Sequence, residues 1–299
     1  MRFYAIRLTR PGNKSGALII PESSGCCPRL FIYMPVVFFL LGLVLWRPAL
    51  GADRIEPREA PGYSGASVVN AADNLIEPLA PNTIATIYGQ NLAYGTRSLT
   101  SSDVRGGVLP TVLPGTGARV LVGGLLANLY YASPSQINFL VPPILSPGAT
   151  NIQVVVDSWA GPAVSVQLAA AAPALFLLDA ENAVATRVDG SVITPGAPAK
   201  PGDIVVLYAT GLGQTTPPLA YCELPASAAW LMQPQAFRIF IDGAPLDPHA
   251  VLYAGIAPGF AGLYQINFIL PASVGQNPEI RIGLGGTIST PGVRLPVQP

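Results

Sequence analysis

Apolar and polar residues alternate along this chain in short runs, each closed by a turn-forming residue. Thr83–Tyr88 is an example: Ile84 and Thr86 point one way, while Thr83, Ala85 and Ile87 point the other. The β-branched residues suit a pleated strand. Val188-Asp189-Gly190-Ser191 lies between the runs Val184–Val188 and Ser191–Thr194. Asp-Gly supplies the positive φ angles of a tight turn, which predicts a hairpin. Gly123-Gly124 and Asp242-Gly243 predict the same. Such runs recur about every 8–12 residues, the pattern of an antiparallel β-sandwich. Residues 214–235, with Cys222 and Trp230, are the most irregular stretch and leave room for a short helix.

The pattern is doubled. Pro81–Leu92 matches Pro201–Leu212 at an offset of 120, and Val120–Gly124 matches Ile239–Gly243 at 119. Gln136-Ile137-Asn138-Phe139-Leu140-Val141-Pro142 matches Gln265-Ile266-Asn267-Phe268-Ile269-Leu270-Pro271 at 129. Three blocks in one order imply two copies of one domain. The drift in offset places an insertion in the second copy, where Asp247-Pro248-His249 and Ala257-Pro258-Gly259-Phe260 lie. The copies are read as 66–168 and 169–299, joined through Ala169–Pro173, with a polar leader at 53–65.

The first 52 residues differ. They carry six of the 16 Lys+Arg but only Glu22 among the acids, and the apolar run Leu30–Trp46 is followed by the small residues around Ala49–Ala52. Positive, apolar, then small is the order of a secretory signal, cut after Gly51 or Ala52. The run is longer than the ~7–15 residues of a signal core and shorter than the ~20 that span a bilayer comfortably. The alternative is an uncleaved anchor with its positive end inside. Either reading puts 53–299 outside the cytoplasm, secreted, periplasmic or at the cell surface. Only Cys222 then remains on the exported side, so no intrachain disulfide can form there.

Of the 299 residues, 31 are Gly and 32 Pro, and 11% are charged. Helix-rich bundles are disfavoured by that Gly and Pro content. A charged, disordered chain is excluded by the 50% apolar content. Residues 53–299 hold ten Lys+Arg against fifteen Asp+Glu, with no basic face for a phosphate backbone. The expected partner is a protein or polysaccharide surface, not nucleic acid, and a membrane only through residues 30–46 if they stay uncut.

Ser133-Pro134-Ser135-Gln136-Ile137-Asn138, Tyr208-Ala209-Thr210-Gly211-Leu212-Gly213 and the segment from Tyr253 to Asn267 resemble a known family. It is the Solibacter-type uncharacterised C-terminal domain of secreted acidobacterial proteins, and the resemblance covers roughly 66–299. It implies an exported all-β protein of two tandem immunoglobulin-like antiparallel β-sandwiches behind an export signal. It brings no established activity. That family usually trails a larger protein, whereas here little but the export signal precedes it.

Chemistry is sparse in the sequence. His249 is the only histidine and no Gly-x-Ser-x-Gly elbow is present. There is no His-Glu-x-x-His, no spaced Asp run and, in residues 53–299, no cysteine pairing, so neither metal nor cofactor is expected. A glycosidase needs two carboxylates about 5–9.5 Å apart, and no acid pair is marked by the repeat. The repeated amides carry more. Gln136 and Asn138 share one face of their strand, and Gln265 and Asn267 one face of theirs. They either satisfy backbone groups of the Pro-rich loops or, with Tyr131 and Tyr264 nearby, hydrogen-bond and stack on a sugar. Phe260 either covers a junction between the copies or offers an exposed contact. The expectation is a non-catalytic exported structural or interaction protein, with a carbohydrate-binding module as the alternative and a hydrolase behind both. The candidate binding residues are Gln136, Asn138, Gln265, Asn267 and Phe260.

Overall fold

The doubled sequence blocks become doubled strands. A computed structural model describes residues 2–10, 14–22, 59–76 and 78–299. The apolar run 30–46 and the cut sites lie outside the described residues. Arg2–Arg10 (β1) and Lys14–Glu22 (β2) pair antiparallel from Arg2↔Glu22 to Arg10↔Lys14, a hairpin that the charge pattern there does not predict.

In the first copy the strands are Val68–Asn70 (β3), Ile84–Tyr88 (β4), Arg97–Ser98 (β5), Ala118–Val122 (β6), Leu125–Leu126 (β7) and Asn128–Ser133 (β8). They continue with Gln136–Leu140 (β9), Gly148–Val156 (β10), Trp159–Ala160 (β11) and Val164–Leu168 (β12). One sheet runs β3-β4-β9-β8-β5, and the other runs β11-β10-β6-β7 with β12 also on β10. The second copy has Ala174–Leu175 (β13), Ala185–Arg187 (β14), Ile204–Thr210 (β15), Thr215–Thr216 (β16), Ala229–Leu231 (β17) and Phe237–Ile241 (β18). Ala244–Pro245 (β19), Val251–Ile256 (β20), Tyr264–Ile269 (β21), Ile280–Leu284 (β22) and Thr287–Ile288 (β23) complete it. Its sheets run β13-β15-β21-β20-β17-β16, with β14 also on β15, and β19-β18-β22-β23. All these pairings are antiparallel, and no α-helix occurs among the described residues.

The copies agree in register. Thr86 pairs Asn138 and Tyr88 pairs Gln136 in one; Val206 pairs Asn267 and Tyr208 pairs Gln265 in the other. A bulge falls at the same place in each, between Leu129 and Tyr131 and between Val251 and Tyr253, so Tyr131 stands opposite Asn138 as Tyr253 stands opposite Asn267. Gly123-Gly124 and Asp242-Gly243 take the positive φ angles of matching two-residue hairpins. The Asp189-Gly190 turn also forms, but beyond it isolated bridges at Val192 and Thr194 follow, not a strand over 191–194. Residues 214–235 hold the short strands β16 and β17 where a helix had room, and a 3₁₀ turn follows at Pro234–Ala236.

Alternation sorts the side chains. Ala85, Ile87, Val120, Ile137, Phe139 and Val154 enter the first core, and Val205, Leu207, Ile239, Ile266, Phe268 and Ile282 the second. Each fully buried aliphatic or aromatic side chain contributes about 1.5–3 kcal/mol, which is what holds a domain together without disulfides. Part of the leader joins the first copy: the Tyr63 hydroxyl donates to Pro162 O and accepts from Val154 N–H at 2.7 Å.

A third apolar cluster lies between the copies. Ala71, Ile84, Leu109 and Leu140 come from the first; Ala174, Phe176, Val184, Ala257, Ala261 and Leu263 from the second. The insertion builds it. In the first copy only Pro134-Ser135 separates β8 from β9, whereas residues 257–263 connect β20 to β21. That longer loop lies on the first copy, with Gly262 against Ile84 and Leu140 so closely that a β-carbon would stand 2.6 Å from Leu140 Cδ1. Polar groups are matched across the seam. The Thr210 hydroxyl accepts from Ile84 N–H at 2.9 Å and donates to Gly262 O at 2.8 Å. Asn82 Nδ2 donates to the Tyr264 hydroxyl at 2.9 Å, which donates to Gly213 O. Leu109 N–H and Leu224 N–H tie the strap around Cys222 to the first copy through Cys222 O and Gly107 O.

Candidate functional site

The same amide pair meets opposite surroundings in the two copies. On β9, Gln136 Nε2 donates to Asn138 Oδ1 at 2.9 Å, and Thr86 Oγ1 donates to that same oxygen at 3.1 Å. Both amides are 3% exposed. They are therefore corrected from candidate ligand contacts to structural residues, because no ligand reaches a buried side chain. Their partners are each other and Thr86, not the loop backbone. The sequence pattern set their face correctly but could not show what covers it.

On β21, Gln265 Nε2 again donates to Asn267 Oδ1 at 2.9 Å, yet both residues are half-buried. The bond uses one donor and one acceptor, leaving Gln265 Oε1 as an acceptor and Asn267 Nδ2 as a donor. Val206 replaces Thr86 beneath them. Their face carries aromatic rings. β17 runs beside β20, with Ala229 and Leu231 in the core and Trp230 outward, half-exposed at 48%. Trp230 pairs Gly255, which pairs Gln265 on the next strand. Tyr253 packs edge-on to Trp230, with ring centroids 4.8 Å apart. The Tyr253 hydroxyl donates to Ile256 O at 2.7 Å, and partial burial holds its pKa above the ordinary phenol value. Gly255 makes this possible: a β-carbon there would stand 2.2 Å from Ala229 O on β17 and 2.6 Å from the Tyr253 hydroxyl.

Farther along this face, Ile204 and Ile269 form an exposed cross-strand pair. The outward positions of β14, β15, β17, β20 and β21 that we name (Thr186, Ile204, Val206, Tyr208, Trp230, Tyr253, Gln265, Asn267 and Ile269) include no carboxylate, lysine or arginine. From Trp230 to Gln265 is two interstrand spacings, about 10 Å. The surface thus offers an aromatic plate, an amide donor and acceptor, and an apolar end, all without charge.

The remaining predicted residues lie elsewhere. Phe260 is half-buried and packs against the cluster between the copies. Tyr264, proposed as a partner of the amides, points instead into the second core and is fully buried, which raises its pKa. His249 stands on an exposed 3₁₀ turn, where Asp247 Oδ1 faces its Nδ1 at 3.0 Å and accepts from its backbone N–H. Cys222 is half-buried in the strap, with its backbone oxygen engaged by Leu109. No group of three His, Cys, Asp or Glu side chains able to hold a metal occurs among the described residues. Trp230 is the functional candidate that sequence reasoning missed. The only local signal was the Ala-Trp-Leu alternation inside an irregular stretch.

No family model matches the chain, and no curated protein sequence matches it. Among solved structures, a surface glycan-binding protein of the Bacteroides ovatus mixed-linkage glucan utilization locus, SGBP-B, is 14% identical, covering 74% of this chain and 43% of its own, with a TM-score of 0.29. Surface glycan-binding protein PbSGBP-B from Prevotella bryantii is 12% identical over 78% of this chain and 41% of its own, with a TM-score of 0.25. Domains 5–6 of the S-layer protein SbsC are 10% identical over 81% of this chain and 94% of that one, with a TM-score of 0.23. The chain spans less than half the length of the two glycan-binding proteins. At these TM-scores the likeness aligns no site residues.

Proposed function

We propose that this is a non-catalytic, extracytoplasmic carbohydrate-binding protein whose second copy holds a neutral oligosaccharide on the outer face of β17, β20, β21 and β15. The observation that carries the reading is the half-exposed Trp230, braced by Tyr253, on the same face as the Gln265–Asn267 pair. An exposed aromatic ring offers a flat apolar surface at low entropic cost. The adjoining amides supply one acceptor and one donor for neighbouring hydroxyls. The absence of charge at these outward positions favours uncharged sugars over uronates or sulfated chains. The first copy, with its amides sealed, is scaffold. Catalysis finds little support, since His249 faces only Asp247 on an exposed turn.

A glycan array with the purified protein, followed by calorimetry on the best neutral oligosaccharide, tests this. Trp230→Ala should weaken binding at least about tenfold, or about 1.4 kcal/mol, with the thermal transition little changed. Undiminished affinity in that variant would discard the face as the site.

A further inference from the structure

The outer face of the second copy continues past Trp230. β16 pairs β17 with Thr215 opposite Leu231 and Thr216 opposite Trp230. Met232 N–H donates to Gln214 O at 3.0 Å, so the ladder runs one pair further. Period-two alternation sorts both strands. Thr215 and Leu231 are buried, while Gln214, Thr216, Trp230 and Met232 are exposed and turned outward. Gln265 stands opposite Gly255, Gly255 opposite Trp230, and Trp230 opposite Thr216. That row crosses three interstrand spacings, about 14 Å along the sheet.

At the next pair, Gln214 and Met232 line a cleft of about 310 Å³ where the two copies meet. Pro81 and Pro147 of the first copy, Ala170 of the join and Gln233 of the second also line it, and its described lining residues are uncharged. The join is fixed against the turn that follows β15. Ala172 N–H donates to Gly211 O at 2.7 Å, and a β-carbon at Gly213 would collide with Ala170 O. Clefts of about 300 Å³ and more at domain junctions are where small-molecule sites concentrate.

We infer that the oligosaccharide site continues from Trp230 over Met232 and Gln214 into this cleft, so that a neutral chain of several sugar units touches both copies. The inference rests on the proposed function and adds the length of its ligand. A short oligosaccharide fills the face around Trp230, and only a longer one reaches the cleft. There the flexible Met232 side chain supplies an adaptable apolar contact, and the exposed Gln214 and Gln233 amides each offer a donor and an acceptor to hydroxyls.

The test titrates the full-length protein by calorimetry with cello-, malto-, manno- and xylo-oligosaccharides, each as trisaccharide and hexasaccharide. In the series that binds, the hexasaccharide should be at least about fivefold tighter than the trisaccharide. Gln214→Ala removes the cleft's amide, and Ala170→Phe fills the cleft. Loss of the hexasaccharide's advantage in either variant, with the trisaccharide unchanged, supports the inference. It is overturned by a hexasaccharide no tighter than its trisaccharide, by an advantage untouched in both variants, by equal weakening of the trisaccharide, or by no binding anywhere in the panel. Trp230→Ala should weaken both lengths, and undiminished binding there discards the face itself, so the two failures are distinct.

Discussion

Tyr253 and Trp230 meet edge to face, at 4.8 Å between ring centroids and 66° between planes, across strands that pair far from each other in sequence. Tyr253 is anchored by Ile256 O, and its ring holds Trp230 in one orientation on the sheet. The contact depends on the bare backbone at Gly255. Gly255→Ala should therefore push β17 away at Ala229 O as well as displace Tyr253, cost about 1–3 kcal/mol of stability through overpacking, and lower oligosaccharide affinity. Denaturant unfolding and calorimetry on one sample would check both effects, and a variant with unaltered Tyr253 contacts would contradict the account.

Equivalent glutamines should behave differently. Gln136→Ala removes a donor from a buried network and should cost about 1–2 kcal/mol while leaving glycan affinity intact. Gln265→Ala, on the half-open face, should change stability by less than about 0.5 kcal/mol and reduce affinity. The pair of variants compared in thermal melts and titrations gives the readout; the reverse pattern would exchange the roles of the copies.

Thr210 joins the copies through both sides of its hydroxyl. Thr210→Val keeps the shape and strands Ile84 N–H and Gly262 O, each costing about 1–3 kcal/mol. Weakening the seam should also broaden unfolding or split it into two transitions, visible by scanning calorimetry. A single, unshifted transition would show that Thr210 does not help to couple the copies.

Asp103 predicts an acid limb. Burial opposes its ionisation, but hydrogen bonds from the Thr100 hydroxyl and backbone and from the Arg97 guanidinium outweigh it, so its pKa lies below the ordinary 3.8. A folded-state pKa below the unfolded value adds stability that is complete above the unfolded pKa and lost as pH falls through the folded one. Asp103→Asn should lower stability at neutral pH and flatten its decline below about pH 5. Urea midpoints measured across that range decide it.

Much of this fold could be read from the chain because its signals are local. Period-two alternation placed β4, β9, β15 and β21, and Gly123-Gly124 and Asp242-Gly243 placed two hairpins. The face taken by each amide also followed from alternation. What lies over that face did not, because identical Gln-x-Asn segments become buried or open according to contacts made by distant residues. Trp230 was hidden for the same reason: β17 acquires its register from Ala229↔Ile256, a long-range pairing. The insertion near residue 257 was visible as an offset, but its role against Ile84 and Leu140 needed three dimensions.

The lengthened hairpin at 257–263 breaks the symmetry of the two copies. Once one twin supports the other, substitutions at Trp230, Gln265 or Asn267 would, under the proposed function, alter what the molecule recognises without undermining its foundation. Substitutions at Gln136 or Asn138 have no such freedom. Kindred proteins carrying the same lengthened loop should accordingly vary in taste at the later twin and hold the earlier one nearly still.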